Sequence, residues 1–453
     1  MTSRNLLRSR PQPEAQTDVA PWIADLRSRS TKGAVPWRSL LGAFLVLLVL
    51  GLTVNSLLLL RLPGLGPVDS HSYVDALDRA LDGQAAHSTD TMGPDSASLM
   101  RERGIHFPGQ LHERRDSGLL DIYAEAHLTS YVHPPSYFFL TAGVVKAVQV
   151  FRADADWYVT GRLAGALWAA LGGILLVALG LVWGAPVWPA TSVAAWVTVL
   201  PQPVLNTAFI TPGALTLAVS AAVLLGLSLW WQRRISWWAL APFGALTIAI
   251  KTNNAVLVPL ALGAIVAFAI MGRARWRDSL SAGAAFVGGA AVAFLGWQAW
   301  ADPVTYNYQN DIFAQPPSLS GLLDALQAPL GFNSASSMIR TMLIHQHALV
   351  IWSATIMTLL LIGATLFCLL RCGRHTVGRL AGLVALGTIA TAGLLFFAFS
   401  LVRTGVVLPP AGRYALPSLA FVAWPLLLLA GHRVVWSTAT VGTAVTLTGW
   451  LLL

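Results

Sequence analysis

The sequence predicts an all-α polytopic membrane protein: about 11 transmembrane helices, a re-entrant or juxtamembrane helix, and a large first extracytoplasmic loop. Three observations predict it. Of the 453 residues, 55% are hydrophobic and 11% charged, whereas a soluble domain carries about a quarter charged residues. Apolar runs near the roughly 20 residues that a membrane helix needs recur along the chain. Tryptophans pair at the ends of those runs, as at Trp230-Trp231 and Trp237-Trp238, which suits an interfacial aromatic belt.

Residues 1–37 are rich in Arg, Pro and Ser and read as a disordered cytoplasmic tail. The run at 38–61 has no small-residue cleavage site and is long for a signal-peptide core; it reads as a retained first span. Residues 62–133 have ordinary soluble composition and form the first extracytoplasmic loop. Further runs lie at 158–183, 187–208, 210–231, 236–251, 253–272 and 279–301. A second large loop, 302–345, is acidic and aromatic. The last runs lie at 346–371, 378–402, 414–431 and 434–453.

The run at 135–151 is shorter and holds Lys146. Parity decides its role. With the basic N-terminus inside, a helix there that does not cross leaves Arg233-Arg234, Arg273/Arg275/Arg277, Arg371/Arg374/Arg379 and Arg433 all cytoplasmic, as short basic loops should be. A full crossing puts every cluster outside. The segment therefore reads as re-entrant or surface-lying, which is tolerated where protein or water covers the backbone.

The net charge of +9 sits in those short arginine loops, which excludes nucleic acid as the partner. Cys368 and Cys372 are four apart near the basic end of one helix and imply neither a disulfide framework nor a metal site.

The chemistry concentrates in the first loop. It carries Asp69, His71, Tyr73, Glu113, Asp116, Asp121, Glu125 and His133, and ends in His133-Pro134-Pro135-Ser136-Tyr137. Asp69 has two readings: a cap for a helix beginning near Tyr73, or a general base at the membrane surface. Asp69 and His71 lack a third ligand at suitable spacing, so no metal is assigned. The prolines start a helix that with Tyr137 walls a lipid-facing pocket. Lys251 interrupts an apolar run and either snorkels or contacts a phosphate. Parity puts Arg403 and Arg413 outside, where a guanidinium suits a phosphate. Arg162 is a further outer-face cation.

Four of these features resemble the C-type glycosyltransferase superfamily, multispan enzymes that take sugars from polyprenyl phosphates. They are Asp69 soon after the first span, Pro134-Pro135-Ser136-Tyr137 opening a helix, Ala249-Ile250-Lys251-Thr252 between two apolar runs, and Gly412-Arg413-Tyr414-Ala415-Leu416-Pro417 before a late span. The Ala-, Trp- and Arg-rich composition suits an actinobacterial source. The chain departs from the family pattern in having a single Asp69 where many members have paired acids. It also has Asn206-Thr207-Ala208-Phe209-Ile210-Thr211-Pro212-Gly213 where many have an outer-turn Asp.

The resemblance implies a GT-C-like fold in the plasma membrane, with its active site on the extracytoplasmic face. It implies Asp69 as general base and an inverting transfer from a polyprenyl-phosphate sugar to an envelope glycan or glycolipid acceptor. His71, Tyr73, His133, Tyr137, Arg162, Lys251, Arg403, Arg413 and Tyr414 would bind substrate, with membrane lipids around and no cofactor. Two alternatives stand beside it. One is a transporter or flippase of lipid-linked molecules, which predicts repeat symmetry and charges deep in the spans. The other is a non-catalytic scaffold in envelope assembly.

Overall fold

The computed structural model describes residues 37–66, 69–87, 89–105, 129–271, 274–301, 318, 322–323, 348–373, 376–404 and 416–452. Among them every regular element is helical, apart from one isolated bridge between Leu65 and Ile105. The helices are α1 (Trp37–Arg61), α2 (Ser70–Leu81), α3 (Pro94–Arg103), α4 (Ser136–Phe151), α5 (Trp157–Val182), α6 (Val187–Val199), α7 (Pro201–Ala208), α8 (Thr216–Trp231), α9 (Ala241–Ile250), α10 (Leu257–Ile270), α11 (Trp276–Trp300), α12 (Ala348–Arg371), α13 (Val377–Thr404), α14 (Leu419–Leu428) and α15 (Arg433–Leu451). Short 3-10 turns precede α8, α9, α10 and α14 at Pro212–Leu215, Trp237–Leu240, Thr252–Val256 and Leu416–Ser418.

Seven helices are long and apolar enough to cross a membrane by length and composition: Trp37–Arg61, Trp157–Val182, Pro212–Trp231, Thr252–Ile270, Trp276–Trp300, Ala348–Arg371 and Val377–Leu395. The protein is thus an all-α, multi-pass chain. The other apolar runs of the sequence are helical too, but shorter or more polar. The run 187–208 is broken: Leu200 is extended (φ −60°, ψ 152°) ahead of Pro201, because proline disfavours the α-region in the residue before it. Five threonines, from Thr438 to Thr448, dilute α15, and their hydroxyls turn back onto its own carbonyls.

Small residues let the helices approach. A Cβ on Gly165 of α5 would lie 1.7 Å from the Thr207 carbonyl oxygen at the end of α7. A Cβ on Gly244 of α9 would meet the Phe286 carbonyl of α11 at 1.9 Å. Buried indoles tie distant helices: Trp196 Nε1 donates to Ser353 Oγ at 2.8 Å, and Trp450 Nε1 to the Val199 carbonyl at 3.0 Å.

The bundle has two ends of different character. One carries the C-terminus of α1, the start of α5, and helices α2 and α3. At this end Tyr158 donates to the Gly64 carbonyl at 2.8 Å and Arg162 to the Leu62 carbonyl at 2.6 Å. The opposite end presents Arg38, Arg233, Arg234, Arg275, Arg277, Arg371, Arg379 and Arg433, with Asp278 the one acid among its described residues.

Helix α4 belongs wholly to the α2–α3 end. Ahead of it Thr129 is bonded to Ser72 of α2, and beyond it Asp156 is bridged to Arg103 of α3 at 2.6 Å. Thr141, early in α4, accepts from Trp168 Nε1 at 3.3 Å. Trp168 lies about 16 Å along α5 from its first residue at 1.5 Å per residue. Helix α4 therefore lies alongside the first half of α5.

Candidate active site at one end of the bundle

Asp69 immediately precedes α2 with φ 59° and ψ −5°. This left-handed conformation is uncommon outside glycine, although Asp is among the residues that adopt it. The carboxylate makes no capping bond to α2, so the capping reading fails. Its Oδ1 instead accepts from Thr129 Oγ1 at 3.3 Å, and the Thr129 amide donates to Ser72 Oγ at 3.2 Å. Thr129 thus fastens the far end of the first polar segment beside the acid.

One helical turn after Asp69, the Tyr73 amide donates to the Asp69 carbonyl at 3.0 Å. The Tyr73 hydroxyl lies 3.2 Å from His133 Nε2, and His133 Nδ1 lies 3.1 Å from Thr252 Oγ1. A neutral imidazole donates from one nitrogen and accepts at the other, so either tautomer completes the chain Tyr73–His133–Thr252. All three residues are buried. Thr252 follows Lys251, which is extended (φ −157°, ψ 129°) and ends α9. Lys251 is only 6% exposed. In the same turn Asn254 Oδ1 accepts from Thr216 Oγ1 at 3.1 Å. The turn Leu416–Ser418, which begins three residues after Arg413, packs against Thr252–Val256.

His71 sits between two carboxylates. Desolvation lowers its pKa below the usual 6.5, against the opposing pull of Asp69 and Asp75, so the ring is neutral at neutral pH. Arg79 of α2 bridges Asp75 on its own helix at 2.7 Å and Asp90 in the segment before α3 at 3.2 Å, and the amide of Gly93, the residue that caps α3, donates to Asp75 at 2.6 Å. Ser96 donates to Asp78 at 3.0 Å. Burial raises the Asp78 pKa, an effect the Ser96 bond opposes.

Two expected substrate ligands have structural partners. Arg162, 1% exposed, donates through Nε to the Ala208 carbonyl at 2.8 Å and through Nη1 to Leu62 and Gly64 at 2.6 and 3.4 Å. Its guanidinium carbon stands 4.6 Å from the centre of the Phe209 ring. It clamps the end of α1 to the end of α7. Tyr137 is fully buried, and its hydroxyl accepts from the Thr211 amide at 3.2 Å. Arg413 and Tyr414 lie outside the described residues, as do Glu113, Asp116, Asp121 and Glu125. Only the backbone of Arg403 is described, near the end of α13.

Beside His133 a narrow cleft runs between Ala76 and Ala80 of α2, Ser130, Phe138 of α4 and Trp300 of α11. Sequence reasoning missed Thr129, Ser130 and Trp300, which carry no motif. It quoted Thr252 only as the residue following Lys251.

No family model, curated protein or solved structure matches this chain.

What the site can do follows from its own groups. It combines a carboxylate that does not cap its helix, a neutral imidazole two residues away, a buried hydroxyl–imidazole–hydroxyl chain and a buried ammonium group. That set can accept a proton and stabilise an anion. Among the described residues no three His, Cys, Asp or Glu side chains are grouped to hold a metal ion.

Proposed function

We propose that the chain is an inverting membrane glycosyltransferase of about 11 spans that uses a polyprenyl-phosphate sugar. Its active site would lie on the extracytoplasmic face, at the α2–α3 end of the bundle. The basic opposite end supports that orientation, because arginine-rich loops stay cytoplasmic. In this reading Asp69 takes the proton of an acceptor hydroxyl on an envelope glycan or glycolipid. The hydroxyl oxygen bonds to the anomeric carbon, the bond from that carbon to the phosphate oxygen breaks, and the lipid phosphate leaves. Lys251 and Arg413, with Arg403 nearby in sequence, neutralise the charge that develops on the phosphate. Such stabilisation is commonly the largest catalytic contribution. Arg162 is left out of it, since its Nε and Nη1 donate to the carbonyls of Ala208, Leu62 and Gly64.

The observation that carries the reading is the convergence on Asp69. Thr129 holds the carboxylate, and the chain Tyr73–His133–Thr252 connects its helix to the turn that begins at Lys251. These residues come from three widely separated stretches of sequence. A packing requirement alone does not explain an aspartate in a left-handed conformation whose side chain leaves the helix uncapped.

The test is transfer of labelled sugar from a polyprenyl-phosphate donor by the purified full chain. Asp69→Asn should slow transfer by about 10²–10⁴-fold, the range for a general base, with thermal unfolding unchanged. A fully active Asp69→Asn protein removes Asp69 from the role. One observation favours a second reading, a non-catalytic scaffold: helix α2 packs closely, with Leu77 against Gly161 of α5, and the cleft beside it is narrow. Absence of transfer and of donor binding in the wild-type protein would favour the scaffold.

A further inference from the structure

We propose that the corner of the bundle where α8 and α10 end is a binding site for an anionic phospholipid of the bilayer. Arg233, Arg234, Arg275 and Arg277 take its headgroup phosphate, and its acyl chains lie along the apolar face beyond them. This is the end of the bundle opposite Asp69, so the proposal is independent of the transfer reading.

Helix packing brings the two arginine pairs to one corner. Trp231, the last residue of α8, stacks on Phe268 of α10 with ring centroids 4.7 Å apart and planes 12° apart. Arg233-Arg234 follow Trp231, while Arg275 and Arg277 flank Trp276, the first residue of α11, soon after α10 ends. Helix α11 also packs against the turn Trp237–Leu240 that follows Arg234. All four arginines are exposed, and none forms an ion pair within the described residues. Asp278, in the first turn of α11, is the one acid described beside them.

The backbone at Arg233 points the same way. The Arg233 amide donates to the Trp230 carbonyl at 2.8 Å and the Arg234 amide to Leu229 at 2.9 Å. These two bonds are the usual helix ending that places its next residue in the left-handed region, where glycine is favoured. Arg233 occupies that place with φ 58°. Helix α5, joined to the end of α8 by Gln232 donating to the Val182 carbonyl at 2.9 Å, ends in the same way, with Gly184 there at φ 89°. An arginine at this position is strained where glycine would not be, and its side chain is left facing outward.

The surroundings suit a lipid rather than a soluble anion. Trp237, Trp238 and Trp276 are exposed, as indoles at the headgroup level are. Beyond the arginines the outer face is apolar: Ile270 of α10 is 72% exposed and Leu280 of α11 68%. A free phosphate would use only the guanidinium groups. A phosphodiester carrying acyl chains meets the cations, the indoles and the apolar face together. A zwitterionic lipid brings its own cation beside the phosphate, so an excess of arginine selects the anionic headgroup.

The experiment is native mass spectrometry of the detergent-solubilised full chain, titrated separately with dioleoyl phosphatidylglycerol and dioleoyl phosphatidylcholine. The two lipids differ only in the headgroup, and phosphatidylglycerol should bind about 10-fold or more tightly. Joint replacement Arg233→Gln and Arg234→Gln, or Arg275→Gln and Arg277→Gln, should weaken phosphatidylglycerol about 10-fold or more. Arg152→Gln, at the other end, should leave it unchanged. Arg233→Gly should weaken it about 5-fold while unfolding at the wild-type temperature or above, because glycine relieves the left-handed backbone. Thermal unfolding checks each variant, and Arg233→Gly carries the test if a double variant does not fold. Equal binding of the two lipids by the wild type overturns the proposal, as does undiminished phosphatidylglycerol binding by the folded arginine variants. Inorganic phosphate, compared with chloride at equal ionic strength, should not displace the lipid; displacement would mark a soluble-anion site and overturn the lipid assignment.

Discussion

Replacing Arg162 with methionine separates a structural clamp from a substrate ligand. Nε and Nη1 of Arg162 bond the carbonyls of Ala208, Leu62 and Gly64. The Gly64 carbonyl keeps its bond from the Tyr158 hydroxyl at 2.8 Å. The carbonyls of Ala208 and Leu62 lose these short bonds inside the bundle. At about 1–3 kcal/mol for each buried group left unsatisfied, the gross penalty is about 2–6 kcal/mol. Relief offsets part of it: methionine needs no desolvation of charge, and the unpartnered Nη2 disappears. A net loss of about 2–4 kcal/mol is expected. Lysine should not rescue it, because one ammonium cannot span carbonyls that the planar guanidinium fork reaches together. Thermal or denaturant unfolding of the full chain in detergent measures the loss. A methionine variant within about 0.5 kcal/mol of wild type would refute the clamp. So would a variant of unchanged stability that had lost polyprenyl-phosphate binding, which would return Arg162 to the phosphate.

Gly165→Ala should destabilise the bundle by about 1–3 kcal/mol or more, because its Cβ meets the Thr207 carbonyl and α5 must move away from α7; unfolding matching that of wild type contradicts the close approach. Acidification should weaken the fold through His71. Its folded pKa lies below 6.5, so between that value and 6.5 the unfolded chain binds more protons and stability falls as pH falls. The stabilising effect is complete above pH 6.5 and its slope is at most about 1.4 kcal/mol per pH unit. His71→Gln should flatten the profile between pH 7 and 5, and an unchanged profile would show that other groups set it.

Several features were legible because each depends on local composition. Apolar runs gave the helices, with boundaries such as 38–61 against Trp37–Arg61 and 158–183 against Trp157–Val182. Arginine clusters gave one strongly basic end of the bundle. The broken run at 187–208 was less legible, although Leu200-Pro201 carried the signal. Asp69, His71, Tyr73, His133 and Lys251 drew notice as polar groups beside apolar runs, and the fold gathers their helices and turns at one end of the bundle. Tyr137 and Arg162 stand out for the same reason, but the Tyr137 hydroxyl and the Nε and Nη1 of Arg162 bond backbone groups. A residue's chemistry does not reveal whether a carbonyl or a ligand will occupy its donors.

The sequence by itself determined that this chain is helical, multi-pass and asymmetric in charge, because hydrophobic length and arginine placement act residue by residue through transfer from water to lipid. Which polar residues share a site was decided only by tertiary structure. The contacts Thr129–Asp69 and His133–Thr252 join positions far apart along the chain. They exist because close helix packing fixes where each turn meets the next, which no local pattern encodes.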